Sequence, residues 1–237
     1  MAKSKKVKSR WVRRWIVGFA AAMLLVPVLE VVAVRFFDPP RTMPMVIHEM
    51  KGVFAKPRTP VLYQWASLKR IPLMFLKHLW ISEDQRFFQH HGFDWKEMHI
   101  AIKKAEQTGK PVRGVSTITM QCARSLFLWQ GRSWIRKGLE AYYTFWMELI
   151  LSKERIMELY ANVIEMGDGI YGIEAASTHY FGIQPQAMTP RQSAMLAAML
   201  PNPTGWDPRD PAPVLLHRQE HILQQEPGVH FPANLLR

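Results

Sequence analysis

The sequence holds a single cysteine, Cys122, among 237 residues. One thiol closes no internal disulfide and builds no multi-cysteine metal site, so a disulfide scaffold is excluded. Acids are scarce too: 19 aspartates and glutamates against 31 lysines and arginines leave a net charge of +12. A chain this basic favours anionic partners, whether nucleic acid, acidic lipid or a phosphorylated substrate. Strand signals are few, no internal repeat stands out, and no nucleic-acid-binding motif occurs. What is plentiful is apolar: 48% of residues are hydrophobic. That supplies a substantial core for one domain of normal size plus an appendage.

The location of the charge narrows the partner. Residues 1–14 carry Lys3, Lys5, Lys6, Lys8, Arg10, Arg13 and Arg14 and no acid. These seven cations account for most of the excess, so the remainder is only mildly basic and a nucleic-acid partner is not expected. Residues 15–34 form an apolar run of 20 residues, interrupted only by Pro27 and Glu30. Twenty helical residues reach about 30 Å, the thickness of a bilayer core. Glu30 lies near the far end, where an acid costs less than the roughly 2.5–3.5 kcal/mol of the helix centre. The rival is a cleavable signal peptide, but no clear small-residue cleavage site follows and the run is long for one. The expectation is an uncleaved transmembrane signal anchor with its basic tail in the cytoplasm.

Residues 35–60 hold five prolines and no sustained period. They read as an extended juxtamembrane connector whose apolar residues pack on the domain or rest on lipid. Residues 61–237 read as one mostly α-helical domain. Pro72 suits a first helical position, Asp94 caps a helix to Thr108, and Ser116, Ser133 and Ser152 cap three more. Thr189-Pro190-Arg191-Gln192 is a capping box with proline in the first turn. Gly167, Gly169 and Gly172 mark a tight loop.

Three stretches carry chemistry. The first runs from Ile81 to Asp94, with Glu83, Asp84, Arg86, His90 and His91. Its bland reading is a helix start, in which Ser82 caps, Glu83 and Asp84 sit on a positive end and Gln85 closes a capping box. The adjacent histidines share no helix face and make a poor metal pair. The second is Gly114 to Gln121 followed by Arg124. It is either a turn and a polar helix start or a helix N-terminus offering N–H groups and hydroxyls to an anion. The third is Arg132 to Glu140, with Arg136 and Lys137. Arg136 and Glu140 are spaced as a surface ion pair worth a few tenths of a kcal/mol. Three cations in six residues make an anion site the rival.

In this order the stretches resemble the peptidoglycan glycosyltransferases of family 51, in particular the monofunctional, membrane-anchored branch. The matching residues are Glu83-Asp84-Gln85-Arg86-Phe87 with His90, His91, Gly92 and Asp94; Gly114-x-Ser116-Thr117-Ile118-Thr119-x-Gln121; and Arg136-Lys137-x-x-Glu140. Lys153 through Tyr160-Ala161-Asn162 to Gly167 follow, then Gly172-x-Glu174-Ala175-Ala176 with Tyr180-Phe181-Gly182, and Ala194 through Pro203. The likeness runs from about Leu73 to Asn202.

The resemblance implies a lysozyme-like helical fold outside the cytoplasmic (inner) membrane, on the periplasmic side. It implies polymerisation of lipid II into glycan strands, with undecaprenyl pyrophosphate leaving. The partners it implies are lipid II, the growing strand, membrane lipid and other cell-wall synthesis proteins. Glu83 would be the general base for the acceptor 4-hydroxyl, and Glu140 would assist near the leaving group. Arg124 and Arg132 would contact pyrophosphate beside Arg136 and Lys137, with Ser116, Thr117 and Gln121 lining the same site. No cofactor is required. Mg²⁺ or Mn²⁺ could join carboxylates beside a pyrophosphate, although no ligand spacing demands it. A leaving pyrophosphate needs cations and donors rather than a strong acid, so one base plus a cationic cradle suffices. A lytic enzyme would instead need a carboxylate pair across an ordinary glycosidic bond. That enzyme and a non-catalytic cell-wall scaffold are the alternatives. Met120, Arg124 and Ser125 depart from the family's usual Gln and Lys-Asn, and Ala161 from its usual Leu. The first three are expected to bear on rate and pyrophosphate contacts.

Overall fold

The computed structural model describes residues 2–54, 59–111, 115–131, 133–229 and 231–232. Gly114 and Arg132 of the predicted site therefore lie outside the described residues. Helix α1 runs unbroken over Ala2–Phe36, through Pro27. Within it Arg13–Phe36, 24 residues, is long and apolar enough to cross a membrane. The helix does not stop where its apolar run meets the domain. Val31 and Val34 are buried, Tyr142 donates to the Leu24 carbonyl at 2.8 Å, and Arg35 donates to the Ile150 carbonyl at 2.9 Å.

The expected extended connector is in part a helix, α2, over Met43–Phe54. Met45 and His48, three residues apart, turn one face inward and are buried with Thr42, while Val53 stays exposed. So short a stripe makes no sustained period, which is why the sequence reads as irregular. Strand β1, Leu62–Tyr63, likewise falls where a helical pattern was expected. It pairs in parallel with β3, Ile170–Tyr171, which pairs antiparallel with β2, Glu165–Gly167. The glycine loop is thus the turn of a hairpin, and Gly169 there has φ +77°.

The domain is otherwise helical: α3 Leu73–Glu83, α4 Trp95–Thr108, α5 Ile118–Phe127, α6 Trp134–Ile150, α7 Lys153–Val163, α8 Gly172–Phe181, α9 Pro190–Ala198 and α10 Pro213–Gln225. Helix α5 packs on both α6 and α7, while α3 and α10 pack on α9. Ile118 and Cys122 of α5, Met147 of α6, and Ile156 and Tyr160 of α7 are fully buried. Burial pushes the Cys122 thiol up, so it stays protonated and acts as a small apolar group.

The caps at Asp94, Ser133, Ser152 and Thr189 stand where the sequence places them. Two others shift by one residue. Pro72 is the residue before α3 rather than its first. Thr117, not Ser116, caps α5. Its hydroxyl accepts from Met120 N at 3.2 Å and donates to the Gly92 carbonyl at 2.7 Å. Two motif residues explain each other at the β3–α8 junction. A Cβ on Gly172 would fall 2.2 Å from the Asn162 carbonyl oxygen. The Asn162 side chain meanwhile bonds both the N–H and the C=O of Ala66, each at 2.8 Å.

Candidate active site

Glu83 is the last residue of α3, not the first turn of a new helix. The apolar run from Leu73 to Ile81 lies upstream of it, so Ser82 and Gln85 match the spacing of a capping box at the wrong end of a helix. A carboxylate here sits on the negative end of the dipole, which gives it no help from the backbone. Its support comes from α5 and α7 instead. Gln121 Nε2 donates to Glu83 Oε2 at 2.9 Å, and the Tyr160 hydroxyl donates to Gln121 Oε1 at 3.1 Å. Tyr160 is fully buried; burial and then the charge of Glu83 hold its phenol well above the ordinary value of 10.0, so it remains a donor. That fixes the orientation of the Gln121 amide and aims its N–H at Glu83. Ser82 Oγ lies 3.0 Å from Glu83 Oε1 and 3.2 Å from the Ala197 carbonyl, so its one proton serves either. Each carboxylate oxygen accepts twice, so Glu83 keeps free lone pairs for a further proton.

Glu83 opens on a cleft of about 280 Å³ that Asp84, Arg86, Asp94, Glu97 and Ser116 also line. The cleft wall is tied together by the next acids along. Asp84 Oδ2 accepts from the N–H of Ile118, the first residue of α5, at 3.0 Å, and His90 Nε2 lies at the same distance. Asp94 Oδ1 caps α4, and Asp94 Oδ2 lies 2.7 Å from Arg86 Nε. One donor atom each from Asp84, His90 and Asp94 falls within 4.8 Å of the others. All three are engaged with protein groups, and they bind the loop after α3 to the starts of α4 and α5. His91 is exposed and takes no part. Sequence spacing left this network unread because its members come from three different elements.

The second carboxylate is held differently. Glu140 on α6 is fully buried. Arg136 Nη1 meets Glu140 Oε2 at 2.7 Å, and Lys137 Nζ meets Glu140 Oε1 at 2.6 Å. The pair expected on the surface is thus an interior one, with Arg136 only 8% exposed. Lys137 reaches further, to Ser116 Oγ at 3.3 Å, and its side chain is 39% exposed. Lys137 therefore links the buried Glu140 to a residue of the cleft wall.

The α5 residues divide by face. Gln121 and Arg124, three apart, share one face and are half-buried. Met120 and Ser125 point into the interior, at 4% and 7% exposure. Ala161 is fully buried. Of the unusual residues on α5, only Arg124 is not buried. Thr117 lines the cleft, but both functions of its hydroxyl are already taken by its cap and by Gly92.

Sequence reasoning also passed over Glu148 and Lys153, which meet at 2.8 Å below this wall. Lys153 lies 4.3 Å from the centre of the Phe87 ring. Burial lowers its pKa, and the Glu148 carboxylate opposes the shift. Thr119 donates to the same Glu148 oxygen. In the sequence Lys153 marks only the start of a matching stretch.

Residues 52–226 match the family model described as Transglycosylase. The chain is 42% identical over 226 residues to the biosynthetic peptidoglycan transglycosylase of Xylella fastidiosa, covering 92% of this chain and 90% of that protein. It is 40% identical over 221 residues to the protein of the same name from Bdellovibrio bacteriovorus, covering 92% and 88%. A protein of that name from Xanthomonas campestris is 40% identical over 226 residues, covering 94% and 90%. With most of its length matched to the family model and whole-length relatives at this identity, the chain belongs to the transglycosylase family.

Proposed function

We propose that this chain is a peptidoglycan glycosyltransferase of cell-wall synthesis, which polymerises lipid II and releases undecaprenyl pyrophosphate. The family and the name shared by its relatives support the enzyme class and the biosynthetic direction over a lytic one. The observation that carries the mechanism is the Tyr160–Gln121–Glu83 chain at the cleft. It presents a carboxylate whose position is set by a buried relay and whose lone pairs are not exhausted.

In the proposed step the acceptor 4-hydroxyl attacks the anomeric carbon of the donor sugar, from the face opposite the pyrophosphate. The new carbon–oxygen bond forms as the bond to pyrophosphate breaks, with inversion at that carbon. Glu83 takes the hydroxyl proton. A sugar hydroxyl is a weak nucleophile, and a positioned base contributes typically 10²–10⁴-fold. The electron pair leaves with the pyrophosphate, whose charge needs cations and N–H or O–H donors. Lys137 with Ser116 at its side, and Arg124 on the Gln121 face, supply them. Arg132 joins them on the strength of the sequence resemblance alone. Arg136 and Glu140 act one layer back by fixing Lys137. No step in this scheme is routed through a metal ion.

The proposed setting is the inner membrane. Helix α1 would cross it once, with the basic tail in the cytoplasm and the catalytic domain on the periplasmic side, as the cation bias predicts. The testing experiment is polymerisation of labelled lipid II by the purified full chain, parent against Glu83→Gln. Polymer at the parent rate from Glu83→Gln would remove Glu83 as the base. Arg132→Ala is expected to raise the lipid substrate requirement or slow turnover without a change in melting temperature. Unchanged kinetics would take Arg132 out of the cradle.

A further inference from the structure

Helix α3 ends at Glu83 with two local bonds to its last carbonyls, from Asp84 N to Trp80 at 3.1 Å and from Gln85 Nε2 to Ile81 at 3.2 Å. Beyond these bonds and those from α5, a distant part of the chain also packs on that end. Phe231 lies beyond the residues matched to the family, yet it is buried. Its ring centre is 5.4 Å from that of Trp80 and 5.8 Å from that of Phe88. Trp80 belongs to the last turn of α3, and Phe88 belongs to the loop that follows Glu83. The two rings are 6.5 Å apart, so Phe231 closes a three-ring cluster that spans both sides of Glu83. Phe88 continues the contact to Phe87 at 5.0 Å, and Phe87 to His90, the partner of Asp84, at 6.4 Å.

The same segment holds α3 and its loop at three more points. Gln85, two residues past Glu83, donates to Gln225 Oε1 at 2.5 Å. Glu226 meets Lys77 at 3.8 Å and the buried His78 at 3.5 Å. These contacts fall on α3 from Lys77 onward or on the loop directly after it. A segment serving only to cover the core would have no reason to concentrate there. The family likeness in the sequence runs only to about Asn202, and single aromatic and amide contacts beyond it leave no spacing signal.

We propose that Gln225, Glu226 and Phe231 form a clamp that positions Glu83, with Phe231 as its principal positioning residue. It touches no reacting atom. It limits how far the end of α3 and the following loop move relative to Gln121, and so keeps the base within reach of the acceptor hydroxyl. A misplacement of about 1 Å at a reacting group costs on the order of 10²-fold in rate, so a partial loosening is visible in kcat. This inference rests on the assignment of Glu83 as the base.

The test compares the full-length parent with Phe231→Ala, Phe231→Tyr and Glu83→Gln on labelled lipid II, with melting temperature and circular dichroism measured on each. Phe231→Ala is expected to lower kcat about tenfold with KM within about twofold. Phe231→Tyr, which keeps the ring, should restore most of the parent kcat. A folded Phe231→Ala with parent kcat, beside an inactive Glu83→Gln, would overturn the clamp alone. Glu83→Gln at the parent rate would overturn the base assignment and the clamp with it. If Phe231→Ala does not fold, Gln225→Ala leaves the aromatic cluster in place and is expected to lower kcat about threefold, since of α3 and its loop it frees Gln85 alone, besides the exposed His221 on its own helix. A folded Gln225→Ala with parent kcat would then overturn the clamp.

Discussion

Glu83 and Glu140 are both carboxylates of the proposed site, and they are held in opposite ways. Glu83 is half-buried at a helix end and, among the described residues, its hydrogen bonds come from neutral donors, Gln121 and Ser82. Glu140 is fully buried in mid-helix and is bound by two cations, Arg136 and Lys137. Neutral donors orient an acid without committing its charge, which leaves it able to take a proton. Two cations pair both oxygens of Glu140, and what it then offers is a fixed place for Lys137. The comparison fits the proposal of proton chemistry for Glu83 and of electrostatic scaffolding for Glu140.

The sharpest way to break that assignment is to remove each charge in turn. Glu83→Gln is expected to lower kcat by about 10²–10⁴-fold, the range for a general base, with melting temperature close to the parent. Glu140→Gln should do the reverse. It leaves Arg136 buried without its counter-charge, so unfolding by urea or heat should show a loss of roughly 3–5 kcal/mol. Any activity lost should follow Lys137. If Glu140→Gln keeps parent stability and loses only kcat, the scaffolding role fails.

Smaller changes sharpen the Glu83 side. Tyr160→Phe removes the donor that sets the Gln121 amide, at a net cost near 0.5–1.5 kcal/mol for one hydrogen bond. A fall in kcat of about three- to tenfold is expected, read by steady-state polymerisation. Met120→Gln, which brings in the family's usual residue, should leave kcat within about twofold. Its side chain points into the core, so an amide there without a partner should cost about 1–3 kcal/mol in stability. A large gain in rate instead would show that position 120 faces the cleft.

The smallest expected effect concerns pH. Burial lowers the pKa of His78 below 6.5, although Glu226 opposes the shift. The facing groups are Glu226, the Ser193 hydroxyl at 2.8 Å and, from its own helix, Lys77. Below pH 6.5 the unfolded chain binds a proton that the folded chain refuses, so stability falls as pH drops through that value and is complete above it. A shift of one pKa unit is about 1.4 kcal/mol, or about 3 °C in melting temperature for a domain of this size. His78→Gln should flatten the melting curve between pH 6.5 and 5. An unchanged slope would place the titration elsewhere.

Much of the scaffold was legible, and the reason is local. The caps at Asp94, Ser133, Ser152 and Thr189 act within three residues of themselves, and so does the signal they leave. Helix α2 was hidden because it buries only Pro44, Met45 and His48, and the sheet because its strands are two or three residues long. The residues of the site were found through their order along the chain, but their environments were not. Spacing of four residues between Arg136 and Glu140 is the same on a surface as in an interior. The Ser82–Gln85 spacing mimics a helix start because a capping box carries no direction without the apolar run beside it. The Asp84–His90–Asp94 ties and the Phe231 cluster join elements far apart in sequence, which no local pattern records.

The joint between α1 and α6 has a mechanical consequence. Glu30 meets the Tyr143 hydroxyl, Tyr142 holds the Leu24 carbonyl, and Arg35 and Arg155 hold the Ile150 and Val34 carbonyls. A helix fastened along that length behaves as a lever arm, not a leash. With the arm set in a bilayer as proposed, the cleft could not swivel, and its height above the lipid would be constant from one turnover to the next. Tension on a lengthening polymer would pass straight into the anchor, with no slack to absorb it.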